Sequence, residues 1–203
     1  MTPERPTHQV VREATYEGVR GQRALAHGLH EHPTLTGKLY LASLKDVFSN
    51  RIVGYALSPR PTAGLACAAL RHALIRRNPT GTVVVHSDRG GPFRSRLFQR
   101  LLSINELAGS MGRPASAADN AAMESFHSLL QKNVLDQRPV WGSREQLHLA
   151  IITWIKHTYN NRRRQRRLGK LTPVDPVRAS IRRDERCMMF KTGVRGTGAD
   201  SSE

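Results

Sequence analysis

The sequence predicts an α/β fold, and three observations carry that prediction. Two apolar runs of strand length, residues 37–44 and 51–57, flank a short polar turn. An unbroken β-branched run, Val83-Val84-Val85, stands apart from them. Apolar positions at helical spacing fill the intervals around and after these runs. The resulting order is strands, helix, strand, helix, strand, helix, helix, with no internal repeat.

Residues 1–36 are polar, lack clean periodicity and contain Pro3, Pro6 and Pro33, so they are expected to be poorly ordered. Residues 37–58 read as a β-hairpin around Asp46-Val47-Phe48-Ser49-Asn50. Thr62 can cap a helix whose Ala66, Ala69, Leu70, Ala73 and Leu74 share one face, and Asn78-Pro79 ends it. Thr82–His86 reads as a strand buried on both faces, delivering Asp88 at its C-terminal end, where open α/β sheets place their chemistry. A helix over 94–105 should bury Leu97, Phe98, Leu101 and Leu102, and a short strand follows near Leu107–Met111. Another helix runs from near Ser116 to Leu135. The last begins at Ser143, which forms a capping box with Gln146, and buries Leu147, Ile151, Trp154, Ile155 and Thr158.

With 203 residues the chain can bury one core. Its 32 Lys and Arg against 16 Asp and Glu give +16, and a pI near 11.2, a field that attracts nucleic acid. Residues 162–186 hold ten basic and three acidic side chains, densest at Arg162, Arg163, Arg164, Arg166 and Arg167. Such arginines suit phosphates independently of base sequence. Charge alone leaves a ribosomal or other RNA-binding protein open. Cys67 and Cys187 are too few for a disulfide framework or a zinc ribbon, and Cys67 fits a core position. With no membrane-length apolar run and no signal-peptide core, a cytoplasmic, nucleoid-associated protein is expected.

Thirty-five residues separate Asp88, in His86-Ser87-Asp88-Arg89-Gly90, from Glu124, in Asp119-Asn120-Ala121-Ala122-Met123-Glu124-Ser125-Phe126. Breaking a phosphodiester requires activating the attacking oxygen and neutralising the leaving one. Two divalent ions about 4 Å apart do both, and carboxylates hold such hard ions. Asn120, Ser128 and Gln131 extend the face of Glu124 as a polar stripe. Asp119 suits a capping pair with Ser116, and Asp46 suits local bonding in its turn, so neither is a preferred ligand.

These strings, with Glu31-His32-Pro33-Thr34, Asp46-Val47-Phe48-Ser49, Arg51-Ile52-Val53-Gly54, Gly109-Ser110-Met111-Gly112-Arg113, Tyr159-Asn160 and Leu171-Thr172-Pro173, resemble the IS3-family insertion-sequence transposases. The catalytic domain of that family is similar to retroviral integrase. The resemblance runs from about Glu31 to Val177. It implies a ribonuclease H-like integrase core, a mixed five-stranded sheet flanked by helices. It also implies Mg²⁺ (or Mn²⁺) dependent strand transfer by an Asp-Asp-Glu triad holding two ions. Asp88 and Glu124 take the second and third places, for catalysis and metal binding, with Asn120 supporting. The implied partners are DNA, as transposon ends and target, and further copies of the chain; no membrane or small-molecule substrate is implied. Arg162–Arg167 are the main DNA-contact candidates, and Lys132 and His127 weaker ones. His127 stands where the family often has Phe, which suggests a surface position or decay.

The first aspartate is missing. The family's Trp-x-x-Asp string, counted back from Glu31, places that residue at Gly28, which has no ligand atom. Glu31, an odd offset away, would face the other side of a strand. Leu25–His30 can be encoded CTG GCT CAC GGA CTT CAC; dropping the first nucleotide gives Trp-Leu-Thr-Asp-Phe. The hypothesis is that residues 1–30 are translated out of frame, and codons that fail to yield that string in the gene would reject it. Ala26-His27-Gly28-Leu29-His30 is a poor strand, so a degraded first strand and impaired chemistry are expected. His27, His30 and His32 offer an alternative metal cluster, disfavoured because no local pattern orients them. The expected organisation is thus a segment at 1–30, an integrase-like core at 31–178 and a basic, then disordered, tail at 179–203, with no helix-turn-helix in this frame. A non-catalytic DNA-binding module that interferes with intact transposase is the competing reading.

Overall fold

The computed structural model describes residues 23–77, 83–111 and 121–176. Five strands, β1 (Arg23–His32), β2 (Leu39–Asp46), β3 (Ile52–Ser58), β4 (Val83–Ser87) and β5 (Ala108–Met111), form one sheet in the order β3-β2-β1-β4-β5. β1–β2 and β2–β3 pair antiparallel, and β1–β4 and β4–β5 parallel. This is the mixed five-stranded sheet that the resemblance implies.

β1 corrects the expectation of poor order for residues 1–36 over Arg23–His32; residues 1–22 lie outside the described residues. Gly28 and the histidines give β1 weak intrinsic preference, but β2 and β4 supply partners for its backbone on both edges. Leu25 and Ala26 then anchor it by filling opposite cores.

On one face, Leu25, Ala42, Leu44, Val53, Val83 and Val85 pack against α1 (Ala63–Arg77), the single turn α2 (Gly91–Arg94) and α3 (Arg96–Ile104). Thr62 caps α1 as expected, its Oγ1 accepting from the Leu65 amide at 3.2 Å. α1 lies directly on β3, because a Cβ at Gly54 would run into the Ala69 carbonyl and the Ala73 side chain. Ser95 divides the helix expected over 94–105 by accepting from the Phe98 amide as the N-cap of α3. Phe98 and Leu102 are buried, Leu101 half-buried, and Leu97 exposed rather than in the core.

On the other face, Ala26, Leu39, Leu41 and Tyr55 meet α4 (Ala121–Asn133) and α5 (Arg144–Thr153). The expected start of α4 near Ser116 lies outside the described residues. Ser143 caps α5 through the Gln146 amide, as predicted. Trp154–Tyr159 then widens into a π-helical turn, with Asn160 N–H donating to the Ile155 carbonyl five residues back. That extra residue rotates the stripe, so Tyr159 is buried where Thr158 was expected. Cys67 is fully buried, as predicted. No helix among the described residues is long and apolar enough to cross a membrane.

Candidate functional site

Position 28 lies at the middle of the sheet, where β4 ends. The parallel register ends at Ala26 and His86; Gly28 lies further along β1, and Asp88 is the first residue after β4. Gly28 is on the α4 face, where Met123 and His127 meet it. Asp88 is exposed, and its Oδ1 accepts from the Gly90 amide at 2.7 Å. The α4 residues beside Gly28 are Met123 and His127, and Glu124, between them in sequence, is exposed. Ser128 and Gln131 are exposed with it, while Asn120 and Asp119 lie outside the described residues.

Glu31 cannot substitute at position 28. It is exposed at an odd position of β1, accepting from Tyr40 Oη at 2.7 Å and pairing with Lys38 Nζ at 2.8 Å. Lys38, then Tyr40, hold its carboxyl below the usual range. Asp46 is also committed elsewhere. It is buried in the hairpin turn, accepts from Ser49 Oγ at 2.7 Å and the Phe48 amide at 3.1 Å, and pairs with Arg77.

The histidines divide across the sheet. His27 is buried against Phe93 and Phe98, with centroids 4.5 and 5.7 Å away, and burial lowers its pKa to about 3 against a weaker pull from the Ala66 carbonyl. His30 is on the other side, stacked on His32 at 5.2 Å and on His127 at 4.4 Å. Burial lowers His32 to about 4 and His127 to about 3. His127 is half-buried against β1, which corrects the surface position expected of it.

Two residues unnoticed in the sequence also face α4. Ser43 pairs with Gly28 across the strands, and Lys45 pairs with Ala26. Lys45 is 3% exposed, and burial, then the charge of Arg167, lowers its pKa to about 8. The signal was present in the alternation of β2, which places Ser43 and Lys45 on the same face as Leu39 and Leu41.

The arginine block follows the π-turn. The Asn160 side chain ties this end of the chain to Ile52, and an antiparallel bridge pairs Gln165 with Leu171. Gly169, in left-handed conformation at φ 64°, closes the loop. Arg162, Arg164, Arg166 and Arg167 are exposed and Arg163 is half-buried; Lys132 is exposed in the last turn of α4. A groove of about 560 Å³ between the end of α4 and α5 is lined by Trp141, Leu149 and Trp154, and by neither Asp88 nor Glu124.

Asp88 and Glu124 offer the oxygen ligands that Mg²⁺ prefers. No group of three or more His, Cys, Asp or Glu able to hold a metal occurs among the described residues. Among the described residues, then, Asp88 and Glu124 are not joined by a third such side chain in a metal-holding group.

Two integrase core domain profiles match the sequence, over residues 10–117 and 105–173. The transposase InsF of insertion sequence IS3A from Escherichia coli (strain K12) is 41% identical over 138 residues, covering 68% of this chain and 47% of that protein. The transposase of insertion sequence element IS629 from Shigella sonnei is 36% identical over 146 residues, covering 72% and 48%. The chain thus spans about half the length of the curated relatives it matches. Among solved structures, the BIV integrase catalytic core superposes with a TM-score of 0.58 at 17% identity, covering 81% of this chain and 99% of that one. The HTLV-2 integrase catalytic core, in a trimeric form with magnesium, gives 0.56 at 17% identity, covering 75% and 93%. These likenesses identify the sheet and its helices as the ribonuclease H-like fold.

Proposed function

Because this chain belongs to the integrase core family, with IS3-family transposases as its relatives, we propose that it is a DNA-joining core one carboxylate short of its metal site. Asp88 and Glu124 are the remaining ligands, for Mg²⁺ or Mn²⁺, with Asn120 in a supporting role. When bound, the ions would activate the attacking oxygen and neutralise the leaving one at a DNA phosphodiester. The protein's own share is to hold DNA beside them through Arg162, Arg163, Arg164, Arg166, Arg167 and Lys132. Its DNA would be transposon ends and target, in the cytoplasm at the nucleoid, with further copies of the chain in the assembly.

The observation that carries this reading is the glycine at position 28, on the central strand beside β4, whose end leads into Asp88, and packed on the helix of Glu124. A two-ion site that loses one of three carboxylates loses both a bridge and the charge that keeps two cations close. Strand transfer is therefore impaired while DNA binding persists. The test measures Mn²⁺-dependent cleavage and joining of DNA beside DNA binding. The expected result is tight, salt-sensitive binding, with cleavage no higher than in Asp88→Ala and recovered by Gly28→Asp/His127→Phe. Cleavage by the unaltered chain well above Asp88→Ala would overturn the impairment.

A second reading, a binding module that competes with intact transposase, is favoured by the same glycine. Asp88→Asn in the Gly28→Asp/His127→Phe background separates the two: a pure binding module is indifferent to it, whereas a core whose chemistry has been restored is not.

A further inference from the structure

A side chain at position 28 has to enter space that His127 now fills. A Cβ built on Gly28 lies 3.1 Å from His127 Nε2 and 3.1 Å from Met123 Cε. Rings hold the imidazole there: it stacks on His30 at 4.4 Å and 23°, and meets Phe126 edge-on at 5.2 Å. Its Nδ1 is buried without a hydrogen-bond partner. The Oγ of Ser43, the cross-strand mate of Gly28, is buried and unpartnered too. Buried polar atoms are nearly always paired, so the Ser43 Oγ opposite Gly28 has bonding capacity to offer a polar side chain at that position. Burial first, and then the charges of His30, His32 and Lys45, act against a proton on His127.

Resting on the three-position site above, we propose that His127 has taken the place of the absent carboxylate and captures one restored there, which makes it the residue that decides whether position 28 can hold a metal. An aspartate at 28 enters within reach of the imidazole Nε2. A carboxylate–imidazole hydrogen bond then competes with the cation for the same oxygens. A dication reaching that carboxylate also meets Lys45 and the His127 ring. Replacing the imidazole with phenylalanine keeps a ring beside Phe126 and leaves the carboxylate free.

The test compares the full chain with G28D, H127F and G28D/H127F. Mn²⁺ binding is read by calorimetry, and urea unfolding is read in the presence of chelator. G28D should bind Mn²⁺ little better than the unaltered chain, and the double variant at least about tenfold more tightly than G28D, the scale of ligand-support effects at metal sites. In chelator, the introduced carboxylate loses its partner when residue 127 is Phe. The cost of G28D in the unfolding constant should then be at least about tenfold greater than it is beside His127. H127Q supplies a second uncharged background if the Phe variant does not fold. G28D binding Mn²⁺ as tightly as the double variant, or equal costs of G28D in the two backgrounds, would overturn the inference. Coupling in chelator without Mn²⁺ binding by any variant would uphold the His127 pairing and reject the three-position metal reading.

Discussion

The side-chain amide of Asn160 completes the backbone of Ile52, accepting from its N–H and donating to its carbonyl at 3.0 Å each, across 108 residues of chain. Ile52 opens the edge strand β3 beside a register shift between Leu44 and Lys45, and the amide supplies the partner that a neighbouring strand would otherwise provide. The Tyr159-Asn160 string thus has a structural explanation, with Tyr159 filling the core and Asn160 fastening the end of the helix to the sheet. Asn160→Ala would leave both buried backbone groups orphaned, at about 2–4 kcal/mol in urea unfolding. A loss below about 0.5 kcal/mol would show that water replaces the amide.

Asp46 is the second anchor of the hairpin. Its carboxylate gathers Ser49, the Phe48 amide and Arg77 in a buried turn. Asp46→Ala leaves the Arg77 guanidinium without that partner and should cost about 3–5 kcal/mol, with Asp46→Asn milder because the local bonds survive. The denaturant midpoints of the two variants give the order.

Acid sensitivity follows from the buried imidazoles. His27 and His32 stay neutral in the fold down to about pH 3 and 4, against about 6.5 in an open chain. Between those limits the unfolded chain binds protons that the folded one refuses. Stability is therefore full above about pH 6.5 and falls as pH drops toward 4. Each histidine raises the unfolding constant by up to about tenfold per pH unit. Thermal melts from about pH 7.5 to about pH 4.5 should show the decline, and His27→Phe should remove part of it. A flat profile would contradict the burial assigned to these rings.

The exposed arginines predict a salt dependence. Replacing Arg162, Arg164, Arg166 and Arg167 with alanine should lower the slope of log affinity against log salt by about 0.9 for each lost phosphate contact. Anisotropy titrations of duplex DNA across KCl concentrations give the slope. An unchanged slope would move the DNA-binding surface elsewhere.

Strong local signals made much of this architecture legible in the sequence. The hairpin, the Thr62 and Ser143 caps and the Val83–Val85 strand each follow from short-range chemistry. Failures came where distant partners override local preference. β1 forms because β2 and β4 hold it, although His27 and Gly28 argue against a strand. The π-turn exchanges Thr158 for Tyr159 through a backbone change that periodicity does not register. His127 faces inward because Gly28 leaves room for it, a relation between residues 99 positions apart. The resemblance implied a ligand gap at Gly28, but the packing of His127 and Met123 on that glycine was not predictable from the sequence.

The double-sided seating of β1 separates the survival of this protein from its chemistry. β1 keeps its place through backbone pairing on each edge and through Leu25 and Ala26 in the two cores, none of which needs a side chain at position 28. On the proposed reading, the residue at position 28 can be exchanged with joining lost and the sheet still standing.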